Sequence, residues 1–327
     1  MPFRTSSKSI GVLPLFNPEE GKSIKEPLGI GSGYWVGAPS VVYDYEKAKF
    51  YLYYRIRVPR PGRGVECRIS ESEDGIHFTD IWQAKKEDFP TDSMERASLI
   101  KGLDGRYKLY ISYVDPADNK WRTDLTEADS PGEFHLSSRK KIFTASDISA
   151  EGVKDPYVVI IGGIYYMFLS YVPTPLELDE DMKEKMHKTA DVYNTGLAKS
   201  KAALAISKDG LNYTWMGDVM TPSLLGWESY TARICSIGYL PPVFTVFYDG
   251  CRGVSENYEE RTGIALSWDL KSFQNLTKDG PALMSPNGQG SLRYMDLVQF
   301  KDEIFYYYEY TREDGSHELR LNRVRYR

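Results

Sequence analysis

Apolar and polar positions in this chain follow no single long period. Short runs of β-branched and aromatic residues are broken by turn residues, and the whole arrangement returns about every 60 residues. Each return opens with a short apolar segment, at 38–42, 97–100, 156–159, 233–237 and 292–298. A turn follows, then an aromatic-rich segment, at 50–54, 107–111, 165–169, 244–248 and 304–308. The run Tyr157 to Ile161, ended by Gly162-Gly163, reads as a buried strand entering a hairpin turn that needs positive φ. Outer strands repeat too: Ile69 to Phe78 and Ile206 to Tyr213 both turn on Asp-Gly, and Leu266 to Phe273 is a looser copy.

Five such repeats predict an all-β, five-bladed β-propeller with four-stranded antiparallel blades, in one domain over 1–327. The blades fall at about 35–90, 95–145, 152–220, 230–285 and 290–327. The last has only three strands, so the apolar stretch 10–16 is expected to supply the fourth and cover the sheet edge. One segment breaks the repeat. Between strands two and three of blade 3, residues 173–203 intervene, and 176–190 carries Met182 and Met186 at helical spacing among charged residues. It reads as a short helical insertion, a lid, an oligomer contact or a solvated excursion.

Charge and composition narrow the partners. The net charge of −5 argues against nucleic acid, which requires a basic face. No apolar run approaches membrane-spanning length, and residues 1–15 hold no long apolar core of a leader peptide. Cys67, Cys235 and Cys251 show no metal spacing and read as reduced, buried thiols, so a cytoplasmic location is expected. His77, His135, His187 and His317 all fall outside the innermost strands, so no metal and no cofactor is expected. The 25 tyrosines can line a sugar-sized cleft.

Two short motifs carry a resemblance. Gly152-Val153-Lys154-Asp155-Pro156 resembles an element of the five-bladed propeller glycoside hydrolases of families 43, 32 and 68 and of the mannoside-acting family 130. Leu52-Tyr53-Tyr54-Arg55, with Ser72 to Phe78, resembles the first blade of family 130. The resemblance implies a carbohydrate-active enzyme, most simply a glycosidase hydrolysing a small glycoside. A phosphorylase whose arginines hold phosphate is a second reading, and a propeller that binds carbohydrate without cleaving it is a third. Two positions depart from the pattern. Ala38 stands before Pro39 where families 43 and 32 place Asp, and Thr231 or Ala232 replaces the fourth-blade Glu, with Glu228 upstream.

In a propeller the mouths of the innermost strands form the pocket. Glycoside cleavage needs two carboxyl groups across the scissile bond, and Asp155 and Glu95 are the expected pair, with Glu228 and Asp296 in reserve. Pro156 is expected to hold Asp155 extended, and strand alternation to point Lys154 away from it. Arg96, Arg233 and Arg293 recur at three mouths. They are expected either to bind an anionic substrate group or phosphate, or to tie blades together by pairing with Glu95, Asp155 or Asp296. Trp35, Tyr230 and Tyr294 complete the candidate sugar contacts.

Overall fold

The computed structural model describes residues 11–88 and 90–326. Among these, 20 strands and one α-helix form three four-stranded antiparallel sheets and one eight-stranded sheet, in which two further four-stranded units are joined by a single parallel pairing of Trp35 with His317. A short strand β1 (Lys22–Lys25) precedes them. The first unit is β2 (Trp35–Asp44), β3 (Lys49–Val58), β4 (Arg63–Ser72) and β5 (Thr79–Lys85). The second is β6 (Met94–Lys101), β7 (Tyr107–Val114), β8 (Trp121–Ala128) and β9 (Lys140–Phe143). The third is β10 (Ala150–Ile161), β11 (Ile164–Pro173), β12 (Lys201–Ser207) and β13 (Thr214–Met220), with helix α1 (Glu180–His187) between β11 and β12. The fourth is β14 (Thr231–Leu240), β15 (Val243–Cys251), β16 (Arg261–Ser267) and β17 (Gln274–Asn275). The fifth is β18 (Leu292–Phe300), β19 (Glu303–Thr311) and β20 (His317–Arg325), with β1 as its outer strand.

That outer strand corrects the expected closure. Lys22 pairs with Leu321 and Lys25 with Leu319, whereas 11–16 forms no strand; Ile10 lies outside the described residues. The apolar stretch instead seals the seam between units four and five. Leu13 is fully buried against Phe247, Ile264 and Leu292, and its N–H donates to Thr245 Oγ1 at 3.0 Å. Phe16 stacks on Tyr308 at 5.1 Å. A polar edge strand and an apolar plug each go where their burial suits them.

Between successive units lies a wedge of apolar side chains, and five such wedges make the core. Tyr53 and Ile69 meet Leu99 and Leu109; Leu125 meets Val158 and Met167; Phe168 and Leu204 meet Ile234 and Val246. Phe247 meets Leu292 and Tyr306, and Tyr307 and Leu319 of unit five meet Val36 and Leu52 of unit one. The packing therefore runs round a closed circuit. Each fully buried side chain of this size contributes about 1.5–3 kcal/mol.

Every innermost strand carries one extra residue, a β-bulge, at the same place. The register breaks between Gly37 and Ser40, Met94 and Ala97, Lys154 and Tyr157, Ile234 and Ser236, and Arg293 and Asp296. In units one, three and five the bulge residue has positive φ: Ala38 (52°), Asp155 (54°) and Tyr294 (54°). Asp155 is thus left-handed, not extended as Pro156 suggested. The bulge also breaks alternation, so Lys154 Nζ comes within 3.5 Å of Asp155 Oδ2 instead of pointing away. A left-handed non-glycine residue carries strain of order 1–2 kcal/mol. The bond from Asp155 N–H to Ser112 Oγ (2.9 Å) helps hold it there.

Just past the bulges, side chains accept backbone N–H groups from the neighbouring unit. Leu99 N donates to Ser40 Oγ (2.9 Å), Val158 N to Ser98 Oγ (3.0 Å), Ile237 N to the Tyr157 hydroxyl (3.1 Å) and Val41 N to Asp296 Oδ2 (2.8 Å). At the fifth position Leu297 N turns to Asp296 Oδ1 (2.9 Å), and buried Ser236 Oγ has no partner among the described residues. This belt ties the innermost strands to one another around their common axis.

Candidate functional site

On the entry side of the bulges, the first two strands of each unit carry charges in place of hydroxyls. Two pairs face one another across the ladder, Arg233 with Asp249 and Arg293 with Glu309, while Arg55 stands opposite Gly37. Glycine is required at 37, because a β-carbon there would collide with the Glu309 side chain. The charges join into a circuit of alternating sign. Glu95 bonds Arg55 (3.2 Å), Arg55 bonds Glu309 (3.2 Å), and Glu309 bonds Arg293 (2.7 Å). Arg293 bonds Glu260 (2.6 Å), Glu260 meets Arg233 (3.3 Å), and Arg233 bonds Asp155 (3.1 Å), which meets Lys154. Lys154 and Glu95 line the same cleft without an ion pair between them, and the Lys154 charge acts on Glu95 across it. All five units contribute. Breaking one member of so dry a network leaves an uncompensated charge, which costs about 3–5 kcal/mol.

A cleft opens on this circuit, lined by Glu95, Lys154, Arg233, Glu260, Arg293 and Tyr294, with Arg57, Asp191, Tyr193 and Tyr258 above them. Its free interior is about 10 Å³, room for about one water molecule. Burial alone would raise the Glu95 carboxyl; the charges of Arg55, Lys154 and Arg57 overcome it and hold the group down at about 2. Arg57 Nη1 sits 2.8 Å from Glu95 Oε1. Glu95 is therefore a carboxylate at any ordinary pH, suited to act as base, nucleophile or stabiliser of positive charge. Glu309 is likewise held well below its ordinary range, burial being outweighed by Arg293 and Arg55, with His317 Nδ1 2.8 Å away.

Of the residues singled out from sequence, Glu95, Arg233, Arg293 and Tyr294 line the cleft. Asp155 is fully buried beside them, with Oδ2 on Arg233 and Oδ1 without a partner among the described residues. The others stand elsewhere. Glu228 is buried within unit four, bonded by Ser223 Oγ (2.6 Å), Asn275 Nδ2 (2.7 Å) and the Tyr248 hydroxyl, so it serves its own sheet. Tyr230 donates its hydroxyl to Tyr193 O (3.0 Å). Trp35 is sealed behind the wall, stacked on His317 at 4.5 Å with Arg57 over its ring. Arg96 is the second residue of the bulge between Met94 and Ala97, bonds Cys235 O (2.6 Å) and makes no ion pair among the described residues, so it does not converge with Arg233 and Arg293. Asp296 belongs to the hydroxyl belt, where burial pushes its carboxyl up to about 6 against the pull of Arg96 and the N–H of Val41 and Leu297.

Sequence reasoning missed Arg57, Asp191, Tyr193, Tyr258 and Glu260. Asp191 and Tyr193 belong to the insertion in unit three, which is no free lid. Met186, Val192 and Tyr193 pack on Val114, Trp121 and Val172, while Glu151 clamps the base through Lys120 (2.7 Å), Thr174 (2.7 Å) and His187 (2.8 Å). Tyr258 and Glu260 follow the 3₁₀ turn Val254–Glu256 at the head of β16. The signal available was length: these are the two longest interruptions between second and third strands.

No protein-family model matches the sequence, and no curated protein does. Solved structures do. The β-1,2-mannobiose phosphorylase of Listeria innocua superposes with a TM-score of 0.63 at 15% identity, over 94% of both chains. An endo-arabinase of Bacteroides thetaiotaomicron gives 0.61 at 14%, over 94% of this chain and 98% of that one. A protein of the GH130 family, described as mannoside phosphorylases that include hydrolases of β-1,2 mannosidic linkages in Candida mannan, gives 0.62 at 14%, over 98% and 96%. The fold is that of the propeller glycosidases and phosphorylases. The resemblance carried by the Lys154-Asp155-Pro156 motif thus extends, as fold, over nearly the whole chain.

Proposed function

We propose that the five units are blades of one five-bladed propeller and that the protein is a carbohydrate-active enzyme cleaving a small glycoside in the axial cleft. The observation that carries this reading is Glu95, a carboxylate kept ionised on the wall of a cleft in which a second carboxylate, Glu260, also stands. Two carboxyl groups on one cleft are the minimum equipment for glycoside cleavage. The solved structures of like fold that act on mannosides and arabinans support the same class. Glu95 then works as base or nucleophile and Glu260 as its counterpart. Asp155 is a positioning residue that fixes Arg233 and Lys154, not a group that touches the sugar.

Hydrolysis is the preferred outcome. Arg57, Arg233 and Arg293 each already hold a protein carboxylate at 2.6–3.3 Å. A phosphate entering as co-substrate would have to displace one of these fixed carboxylates and repel the rest. The test is incubation with β-1,2-mannobiose, arabino-oligosaccharides and a panel of aryl glycosides, with and without phosphate. Free sugar in both conditions is expected. Sugar phosphate formed only with phosphate moves the protein to the phosphorylases, and binding without turnover makes it a carbohydrate-binding propeller.

A further inference from the structure

Tyr258 is one of the side chains lining the cleft. Its hydroxyl donates to Asp191 Oδ2 and accepts from Arg60 Nη2 at 3.1 Å. Its ring lies 4.5 Å under the Arg57 guanidinium and 5.7 Å from the Trp35 ring, tilted by 58°. A flat ring against a cation that also covers the neighbouring Trp35 indole, with a hydroxyl shared by a carboxylate and an arginine, matches contacts a sugar ring makes with such side chains. The three partners come from different units: Arg60 from the turn after β3, Asp191 from the insertion after β11, and Tyr258 from the segment after β15. With the phenol in place the cleft has room for about one water, so no sugar ring fits beside it.

The backbone at this point is anchored on both sides of Tyr258. Asn257 Nδ2 donates to Tyr193 O (2.9 Å) and its Oδ1 accepts from Thr231 Oγ1 (3.1 Å). Glu259 bonds Thr311 Oγ1 (3.1 Å) and His317 Nε2 (3.2 Å). Tyr258 itself is half-buried, and Arg60 is 45% exposed, so the phenol can leave by side-chain rotation with the loop in place.

We propose that Tyr258 is a removable plug occupying a sugar subsite built by Arg57, Arg60 and Asp191. In the resting protein its phenol stands in for a sugar ring and one hydroxyl. On binding, the substrate takes over the Asp191 and Arg60 bonds, and Tyr258 swings outward. This deepens the glycoside-cleaving reading and rests on it for the identity of the ligand. The vacated contacts can be tested without that identity.

The experiment pairs two variants with two probes. Tyr258→Gly removes the plug, and p-cresol, which is the tyrosine side chain as a free molecule, is titrated by calorimetry and by thermal melting. The variant is expected to bind p-cresol in the millimolar range or tighter and to melt several degrees higher with it, whereas the wild-type protein shows neither effect. Adding Asp191→Asn is expected to weaken that binding several-fold. Tyr258→Phe, which keeps the ring and loses the hydroxyl clasp, is expected to lower KM for any glycoside the protein turns over. If it turns over none, the same variant is expected to bind D-mannose or L-arabinose several-fold more tightly than wild type. p-Cresol binding equally to both proteins, or to neither, overturns the plug. So does a raised KM or a weaker sugar affinity in Tyr258→Phe, which makes the tyrosine part of the binding platform. Absence of turnover in every variant, with p-cresol bound as expected, leaves the plug standing and removes the catalytic reading alone.

Discussion

Two belts encircle the same axis a few residues apart. On the entry side of the bulges, Glu95, Arg55, Glu309, Arg293, Glu260, Arg233, Asp155 and Lys154 form an alternating circuit of full charges. On the far side, Ser40, Ser98, Tyr157 and Asp296 accept single backbone donors from the neighbouring unit. Both belts bind unit to unit, and both are buried. Hydroxyl acceptors do this at little desolvation cost, whereas ionised groups do it only while every partner is present. Charge is thus concentrated where the cleft opens and is nearly absent behind it. Structure alone did not demand the charged belt, since the quieter one serves the same end. Asp296 and Arg96 are the exceptions, and Asp296, which titrates, makes the comparison measurable.

The largest effect is expected at Glu95. Replacing it with Gln removes the ionised group from the cleft, and loss of a positioned acid–base carboxylate costs roughly two to four orders of magnitude in rate. Turnover of whichever glycoside is cleaved, measured beside thermal melting, checks this. Turnover within a factor of ten of wild type would remove Glu95 from the chemistry. Next comes Arg55→Met, which takes one partner from Glu95 and one from Glu309 while Arg57 and Arg293 remain. It is expected to cost about 3–5 kcal/mol in urea unfolding. A loss below about 1 kcal/mol would mean the charged belt contributes no more to stability than exposed pairs do.

The belts should also titrate in opposite directions. Glu95 ionises near 2 when folded, below its ordinary 4.5, so its stabilisation is present above about pH 4.5 and is lost as pH falls toward 2. Asp296 ionises near 6 when folded, above its ordinary 3.8. It keeps its proton where the unfolded chain has released it, so stability is greatest below about pH 4 and declines as pH rises through 6. The span is about 3 kcal/mol in each case. Asp296→Asn is expected to abolish the decline between pH 4 and 7 and to exceed wild type in urea midpoint at pH 8. An unchanged slope would show that Asp296 is not the titrating group. The smallest contrast lies within the hydroxyl belt. Ser98→Ala leaves the Val158 N–H buried without an acceptor and is expected to cost about 1–3 kcal/mol. Ser236→Ala removes a buried hydroxyl that has no partner among the described residues, so it is expected to leave the protein as stable as wild type or more so. Equal losses would mean that the belt bonds do not set the cost.

The strands of the five units were legible because inner and second strands are apolar enough to show against the turns. Lys22–Lys25 was not, since a closing edge strand is polar and the apolar stretch beside it invites the wrong assignment. Glu95, Arg233 and Arg293 could be placed by their position at strand mouths. The Lys154–Asp155 contact could not, because one inserted residue reverses the alternation on which facing is argued, and nothing in Lys-Asp-Pro announces a bulge. Glu260, Asp191 and Tyr258 come from irregular segments, whose side-chain directions follow no period. The converse failure is Arg96, which matched Arg233 and Arg293 by sequence position but falls inside the bulge, after Glu95, and bonds Cys235 O in the other belt.

The outer strand of the fifth unit comes from residues 22–25, while its other three strands end at Arg325. During synthesis, that short segment must therefore wait until some 300 further residues have left the ribosome before it meets its partner. Four sheets can assemble in order as they emerge; the circuit of charges, which needs Arg293 and Glu309, cannot. The last ladder to form is also the one with the greatest sequence separation, where loop-closure entropy is highest. Any species captured before units one and five had met would expose the apolar faces they share, and its cleft would lack either Arg57 or Arg293.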